Sequence, residues 1–455
     1  MKKQDFNQAM TILRASGVLK NDGAGNVFVY DEQRGVCKQL RPIRARQCIE
    51  AILRKAKIFM PTRELRELHT NVAERLEFLD ERLKVYTASV MIACENGLVD
   101  LSTGKLQEFD RNILIRNFLN FRFVEDAHLS HESRTYQFIR TLLGVKSGPL
   151  EASPKYHLFL EMLGYAISNL RPVKKAFVLL GPPSIGKSVV LELIARIVGE
   201  DAYTSATWAT LVEKYYSALV VGATLVLSDE MPVKPLRHLD VLKSIISGSS
   251  IVVEKKFGEI QKYTPHVKLI SAANCLPELG EPDAGGAFAE RLSILRLGLD
   301  APIEKDPDLI EALWEERDML FSLAVKETKT LIERKMTFTE DPDGQVLCEQ
   351  LRNSGNSVNS YIQSRYQKNP NGRVSIEDCY ADYINFCDEE FWLAVAKAVF
   401  RRQVAQLGYS FQKLRVPGHT NPCRCIVGLT ARKEEPECRN QAKFPPTSEQ
   451  SESQS

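Results

Sequence analysis

The sequence predicts an α/β chain organised around a parallel sheet, with a mixed α+β and helical region before it and a small helix–strand module after it. Three observations carry this prediction. Short apolar runs at Lys175–Leu180, Thr224–Leu227 and Val267–Ala272 alternate with helical stretches, the pattern of strands buried on both faces. The first run ends at a glycine and leads into a helix-periodic segment, Lys187–Val198. Finally, 455 residues exceed what one core usually organises, so further domains must flank the sheet.

In chain order, residues 1–149 read as a mixed region. Asn21–Val29 is a glycine-rich turn feeding a short strand, and Val90–Lys105 holds a second strand–turn pattern. Between them, Arg44–Leu83 is charged and helix-periodic. Tyr136–Leu170 is helical again and ends before Arg171-Pro172, where proline disfavours continuation. Residues 150–300 carry the strand–helix alternation, with a polar hairpin-like segment before the third run. Residues 301–345 are helical and charged, a lid or connector. Residues 346–432 give a helix at Ile376–Asp388, a second at Trp392–Leu407, then Gly408 and a β-rich pair, the order of a helix-turn-helix with a wing. Residues 433–455 are rich in Glu, Ser, Gln and Pro and are expected to be disordered.

Composition excludes several classes. Apolar residues at 44% and charged residues at 26% match a globular chain. The longest apolar run, Ala218–Leu227, is about half of what a membrane span needs, so no membrane partner is expected. Met1-Lys-Lys-Gln-Asp5 opens no signal-peptide pattern, and ten cysteines without a framework suit reduced thiols in a cytoplasm. A net charge of +2 selects no partner.

Gly181-Pro182-Pro183-Ser184-Ile185-Gly186-Lys187-Ser188 matches the G-x-x-x-x-G-K-[ST] pattern in full, between a predicted strand and a predicted helix. Glycines let the loop turn so that backbone N–H groups face phosphates, and the helix N-terminus adds positive potential. Lys187 is expected to reach the β- and γ-phosphates of ATP, and Ser188 to ligate Mg²⁺. A chance match in a turn is the competing reading; the strand–loop–helix context argues against it.

Leu225–Ser228 ends in Asp229 and Glu230. Asp229 can hold the Mg²⁺ shell, and Glu230 can orient and deprotonate an attacking water. An acidic pair after an apolar strand is also a common solvated strand end. The 42 residues separating Asp229 from Lys187 (229 − 187) leave room for one helix and one strand, which puts the pair at the same sheet edge as the loop. Asn274 ends the third run and could bond a γ-phosphate or a water; capping a turn before Pro277 is its alternative role.

Together these residues resemble the superfamily-3 helicases, nearest to the phage, plasmid and poxvirus primase-helicase family, whose motor is an AAA+ domain. Cys94-Glu-Asn96-Gly97 with Asp100 and Gly104 resembles that family's N-terminal associated domain. Gly181–Ser188 corresponds to its A motif and Leu225–Glu230 to its B motif. Leu242–Gly248 with Ile251–Phe257 is similar to the B′ segment, and Leu269–Asn274 to the C motif. Residues 346–432 resemble the winged helix that often follows such a motor. The resemblance implies a homo-hexameric ring hydrolysing ATP between subunits, with an arginine from the neighbour completing each site. Phe288-Ala-Glu290-Arg291-Leu292 is the matching segment. Family members often carry two adjacent arginines here; this chain has Glu290-Arg291, so Arg291 is the expected finger and Arg296 the alternative.

The resemblance further places Lys255, Lys256 and Lys262 on a hairpin lining the ring channel, where lysines grip single-stranded DNA without reading sequence. A solvated turn flanked by Glu254 and Glu259 is the bland alternative. Residues 391–432 contain Lys397, Arg401, Arg402, Lys413, Arg415, Arg424 and Arg432 and no Asp or Glu. The first three fall on the second helix and Lys413 and Arg415 on the wing, as double-stranded DNA contact would require. His419, Cys423, Cys425 and Cys438 have an unusual spacing for zinc and are set aside. Residues 1–150 lack an Asp-x-Asp pair, so a primase would be a separate partner. Two functions remain: an ATP-driven DNA helicase for the replication of a phage, plasmid or other mobile element, and an ATP-controlled origin-binding initiator that assembles without processive unwinding.

Overall fold

The computed structural model describes residues 3–432 apart from 24, 32–35, 41, 81–89, 111–112, 114, 116–117, 201, 232–235, 255–259, 278, 280–282, 284–285, 299–305, 391, 393 and 416–420. Two compact units divide between Asn356 and Ser357. The expected boundaries at 149/150, 300/301 and 345/346 do not coincide with this division. One buried cluster spans the first two positions, with Ile92, Phe121, Tyr165, Phe177, Ile194, Phe321 and Leu331 among its members; a second, containing Ile294 and Leu351, spans the third.

The first unit starts with α1 (Lys3–Ala15) and an antiparallel meander of β1 (Leu19–Asn21), β2 (Val27–Asp31) and β3 (Val36–Leu40). Helices α2 (Pro42–Lys55) and α3 (Thr62–Glu74) pack on it. In α2 the buried residues Ala45, Ile49 and Leu53 recur every fourth position, a single apolar stripe. The Asn21 amide donates to the carbonyls of Val72 and Arg75 at 2.7 and 2.9 Å, tying the first strand to the end of α3. A second meander follows: β4 (Met91–Cys94), β5 (Gly97–Asp100) and β6 (Lys105–Gln107).

The long helical reading of Tyr136–Leu170 resolves into α4 (Arg134–Leu143) and α5 (Pro154–Ile167). Ser133 caps α4 by accepting from the Tyr136 N–H at 3.1 Å. α5 is buried almost all round, between the sheet and the helices after it.

The parallel sheet contains β7 (Ala176–Leu180), β8 (Tyr203–Ser205), β9 (Leu225–Ser228), β12 (Lys268–Ala273) and β13 (Leu292–Arg296). Its spatial order is β13-β7-β12-β9-β8 and every pairing is parallel. The three runs expected as strands are its three central members. Both edges, β8 and β13, were unmarked in the sequence: β8 has three residues, and β13 (Leu-Ser-Ile-Leu-Arg) has two polar positions in five. Helices α6 (Lys187–Val198), α7 (Trp208–Leu211) and α8 (Leu239–Ile246) make the crossovers. Between α8 and β12, β10 (Ile251–Glu254) and β11 (Ile260–Tyr263) pair antiparallel, outside the main sheet.

Residues 301–345 were expected as a lid or connector, yet their described part is core. α9 (Leu309–Glu315) and α10 (Arg317–Glu333) bury Leu313, Leu320, Phe321, Ala324, Val325 and Leu331. α10 lies against α5 so closely that a Cβ on Gly164 would sit 1.9 Å from the Thr328 hydroxyl oxygen and 2.4 Å from the Ala324 carbonyl. α11 (Pro342–Arg365) begins in the first unit, where Leu351 is buried in the core shared with β13.

The second unit holds β14 (Tyr366–Ser375), α12 (Ile376–Glu389), α13 (Lys397–Gln406), β15 (Ser410–Leu414) and β16 (Cys423–Ala431). Its sheet is antiparallel in the order β14-β16-β15. β14 was not expected: Asn369-Pro-Asn-Gly372 reads as a turn, and the register does shift there, between Lys368 and Arg373. Aromatic packing of Tyr361, Tyr383 and Phe400 makes this unit's own core. No described helix is long and apolar enough to cross a membrane.

Candidate nucleotide site and nucleic-acid surfaces

The phosphate loop starts where β7 ends. All five β7 residues are buried, and the Gly181 N–H donates to the Ala273 carbonyl at 3.1 Å, locking the start of the loop to the end of β12. Ser184 (φ 62°) and Gly186 (φ 95°) are both left-handed, which turns successive backbone N–H groups inward as an anion nest. Gly186 is also the N-cap of α6 and offers no side-chain cap, so the first N–H groups of that helix stay open to an anion. Buried Ile185 anchors the loop between the exposed Ser184 and the helix.

Lys187 is buried, and its ammonium donates to the carbonyls of Gly181 (2.8 Å) and Pro182 (2.6 Å) and to Asn274 Oδ1 (2.8 Å). Desolvation holds it below the ordinary lysine value, and the nearby Asp229 carboxylate partly offsets this. Ser188 Oγ donates to Asp229 Oδ1 at 2.6 Å. Thus Lys187, Ser188, Asp229 and Asn274 meet at one sheet edge, because β12 lies between β7 and β9. Glu230 follows, exposed, with its backbone carbonyl accepting from Ser228 Oγ at 2.9 Å. Its carboxylate makes no hydrogen bond or ion pair among the described residues, leaving it available to a water.

The two arginine candidates lie at opposite ends of β13. Leu292 pairs with Ala176 and Arg296 with Leu180, so Arg296 stands beside the residue preceding its own phosphate loop. Arg291 stands at the start of β7, roughly 15 Å away along the strand. It occupies a 3-10 turn, Ala289–Arg291, and its guanidinium donates to Ser247 Oγ at 3.1 Å and to the Ala287 carbonyl. Asp283, which the sequence did not single out, is fully buried and accepts from the N–H groups of Phe288 (2.8 Å) and Ala289 (3.2 Å), with Lys243 Nζ at 3.5 Å. It secures the turn that presents Arg291. No local spacing could have revealed it; its role depends on the folded turn.

Of the three lysines expected to line a channel, Lys255 and Lys256 lie outside the described residues. Lys262 is exposed on β11 opposite Val252. That outer face also shows Val252 and Ile260, each 68% exposed, and Glu254 on this hairpin pairs with Lys214 at 3.7 Å. Lys214 leads into exposed Tyr215 and Tyr216, and Tyr215 sits at φ 74°, an outlier for a bulky residue.

In the second unit, Lys397 on α13 is ion-paired with Glu377 and lies over the Tyr380 ring, so its charge is partly engaged. The expected helix from Trp392 begins only at Lys397. Arg401 stacks over Phe411 at 5.8 Å, and Arg402 is half-buried on the same helix. Lys413 and Arg415 are exposed, and Lys413 pairs in register with exposed Arg424, two like charges that an anion would relieve. Cys423 and Cys425 place their sulfurs 3.6 Å apart; His419 and Cys438 lie outside the described residues.

A model of a family of unknown function (DUF5906) matches residues 179–291, from two residues before the phosphate loop to Arg291. Among solved structures, the chain is similar to the A-form apo structure of the NrS-1 C-terminal region, at 12% identity and a TM-score of 0.45, covering 92% of this chain and 98% of that one. It is also similar to a second apo structure of the same region, at 11% identity and a TM-score of 0.44, covering 94% and 100%.

Proposed function

We propose that the chain is an ATP-hydrolysing DNA motor of the superfamily-3, AAA+ type, serving the replication of a phage, plasmid or other mobile element. One observation carries the reading: Lys187 bonds Asn274 and Ser188 bonds Asp229, so three strand ends converge on one phosphate loop. Lys187 exchanges its carbonyl partners for phosphate oxygens when ATP enters. Asn274 keeps the ammonium aimed and can reach the γ-phosphate. Ser188 Oγ and Asp229 Oδ1 are adjacent hard oxygens of the kind Mg²⁺ takes, and these two residues would hold it. Bound there, the ion would supply charge neutralisation to the phosphates. Glu230 accepts the proton of the attacking water. Arg291 lies at the end of β13 far from its own loop and serves a neighbouring subunit's site, exchanging its bonds to Ser247 and Ala287 for the neighbour's phosphate. Lys262, with Lys255 and Lys256, forms the DNA-gripping element.

The initiator reading is favoured by a different observation: exposed Lys413, Arg415 and Arg424 belong to a unit with its own core, which can hold DNA without a motor. Strand displacement on forked DNA separates the two. A motor unwinds and loses unwinding in Lys255→Ala/Lys256→Ala while keeping basal ATPase activity. Absence of displacement by the wild type, with ATP-dependent assembly on duplex DNA intact, selects the initiator.

A further inference from the structure

We propose that the turn joining α2 to α3 is a binding site for single-stranded DNA, with Phe59 stacking on a base and Lys55, Lys57, Arg63 and Arg66 holding phosphates. The site stands apart from the nucleotide loop and relies on the motor reading only for the choice of DNA as the strand.

Residues 42–66 contain seven Lys or Arg and two Glu, a strongly positive stretch in a chain that is nearly neutral overall. Glu50 is already bonded to Arg54 at 2.7 Å. Lys55, Lys57, Arg63 and Arg66 are all exposed and make no ion pair among the described residues. Their charge is therefore unspent.

Phe59 is 76% exposed in the middle of this patch. Its exposure is built in rather than incidental. Ile58 and Met60 on either side pack against the N-terminal core, so the extended segment between the helices turns Phe59 outward. Lys57 sets this up at φ 60°, uncommon for a lysine, with its N–H on the Arg54 carbonyl and the Ile58 N–H on the Leu53 carbonyl, both at 2.9 Å. The Arg54 guanidinium, bonded to Glu50, lies 6.0 Å from the Phe59 ring centroid.

The start of α3 points the same way. Its N-cap is Pro61, which makes no side-chain cap, and Arg63 lies in the first turn, where a cation opposes the helix dipole. Glu64 in the same turn complements the dipole, and Arg63 beside it does not. A phosphate against the open N–H groups of Thr62 and Arg63 reverses that penalty. An exposed aromatic ring in a basic stretch of chain, with exposed Lys55, Lys57, Arg63 and Arg66 before and after it, is the combination that binds single strands: base faces stack and the backbone follows the charge. An acidic peptide would use the charge and leave Phe59 idle.

The test uses the full chain without nucleotide, fluorescein-labelled oligothymidylate and anisotropy, so its failure leaves the Lys187-dependent ATPase test of the motor untouched. Phe59→Ala should weaken binding about tenfold and Phe59→Trp should restore it. Lys55→Glu/Lys57→Glu should weaken binding and flatten its salt dependence. An oligonucleotide containing 4-thiothymidine should cross-link within the peptide spanning residues 58–63. Binding by Phe59→Ala close to wild type, or cross-links only elsewhere, overturns the site. So does tighter binding of oligouridylate than oligothymidylate, or a changed oligomeric state in Phe59→Ala with DNA affinity intact, which would make Phe59 a contact between copies.

Discussion

Replacing Asn274 by alanine tests the convergence of strand ends at the phosphate loop most directly. Lys187 is 8% exposed, and its ammonium spends its three hydrogens on Gly181, Pro182 and Asn274. The Asn274 bond, 2.8 Å long, joins residues 87 positions apart and is the only one of the three that comes from outside the loop. A hydrogen bond to a charged group contributes about 1.5–3 kcal/mol. Its loss corresponds to a fall of about 10- to 150-fold in kcat/KM if the bond is needed to aim the ammonium in the transition state. The same loss removes support from the charged form, so the Lys187 value, already depressed by burial, falls further. Turnover needs the charged lysine, so the alkaline limb of the pH–rate profile should move to lower pH. Steady-state ATPase measured from neutral to alkaline pH reads both effects. A kcat/KM within about twofold of wild type, with the alkaline limb unmoved, would refute the idea that Asn274 holds the lysine for catalysis.

Glu230→Gln should keep ATP binding and lose hydrolysis, because Ser188 and Asp229 remain while the water loses its base; nucleotide binding that vanishes in a folded variant contradicts the assignment. Arg291→Ala and Lys187→Ala should each be inactive alone and recover activity on mixing, since Arg291 lies at the far end of β13 from its own loop; no recovery in mixed rings argues against a shared site. Lys268 is fully buried, with its ammonium on the Ser168 carbonyl and hydroxyl and over the Tyr165 ring, and desolvation pushes it down to about 7 from 10.5. Below about 7 both folded and unfolded chains are charged and the burial penalty is fully present; between 7 and 10.5 only the unfolded chain keeps the proton, so this residue makes stability rise with pH. Lys268→Met should remove that rise in denaturant titrations at several pH values, and an unchanged slope would be contrary evidence. Gly164→Ala should destabilise by about 1–3 kcal/mol or more, read as a lower denaturation midpoint, because its methyl group overlaps Thr328 and Ala324.

How far the sequence alone could go is seen at particular elements. The turn ending at Gly186 and the span of α6 were legible to the residue, because a tight turn before a helix N-terminus is dictated by its own glycines and spacing. The three central strands were legible because burial on both faces favours mostly apolar runs, though β12 also buries Lys268 and Ser271. β13 and β14 were not, since an edge strand tolerates serine and arginine, and a bulged strand can hold Asn-Pro-Asn-Gly.

Tertiary structure decided everything that depends on which distant segments pair. It placed β12 between β7 and β9, and so set Asn274 against Lys187 and Asp229 against Ser188. It separated Arg291 from Arg296 by the length of β13, buried Asp283 beneath the arginine turn, and made α9 and α10 part of the core rather than a lid. Local signals reach only as far as the next turn of chain. Strand order and register are settled by apolar surface shared between segments tens of residues apart, and that energy leaves no mark on either segment read alone.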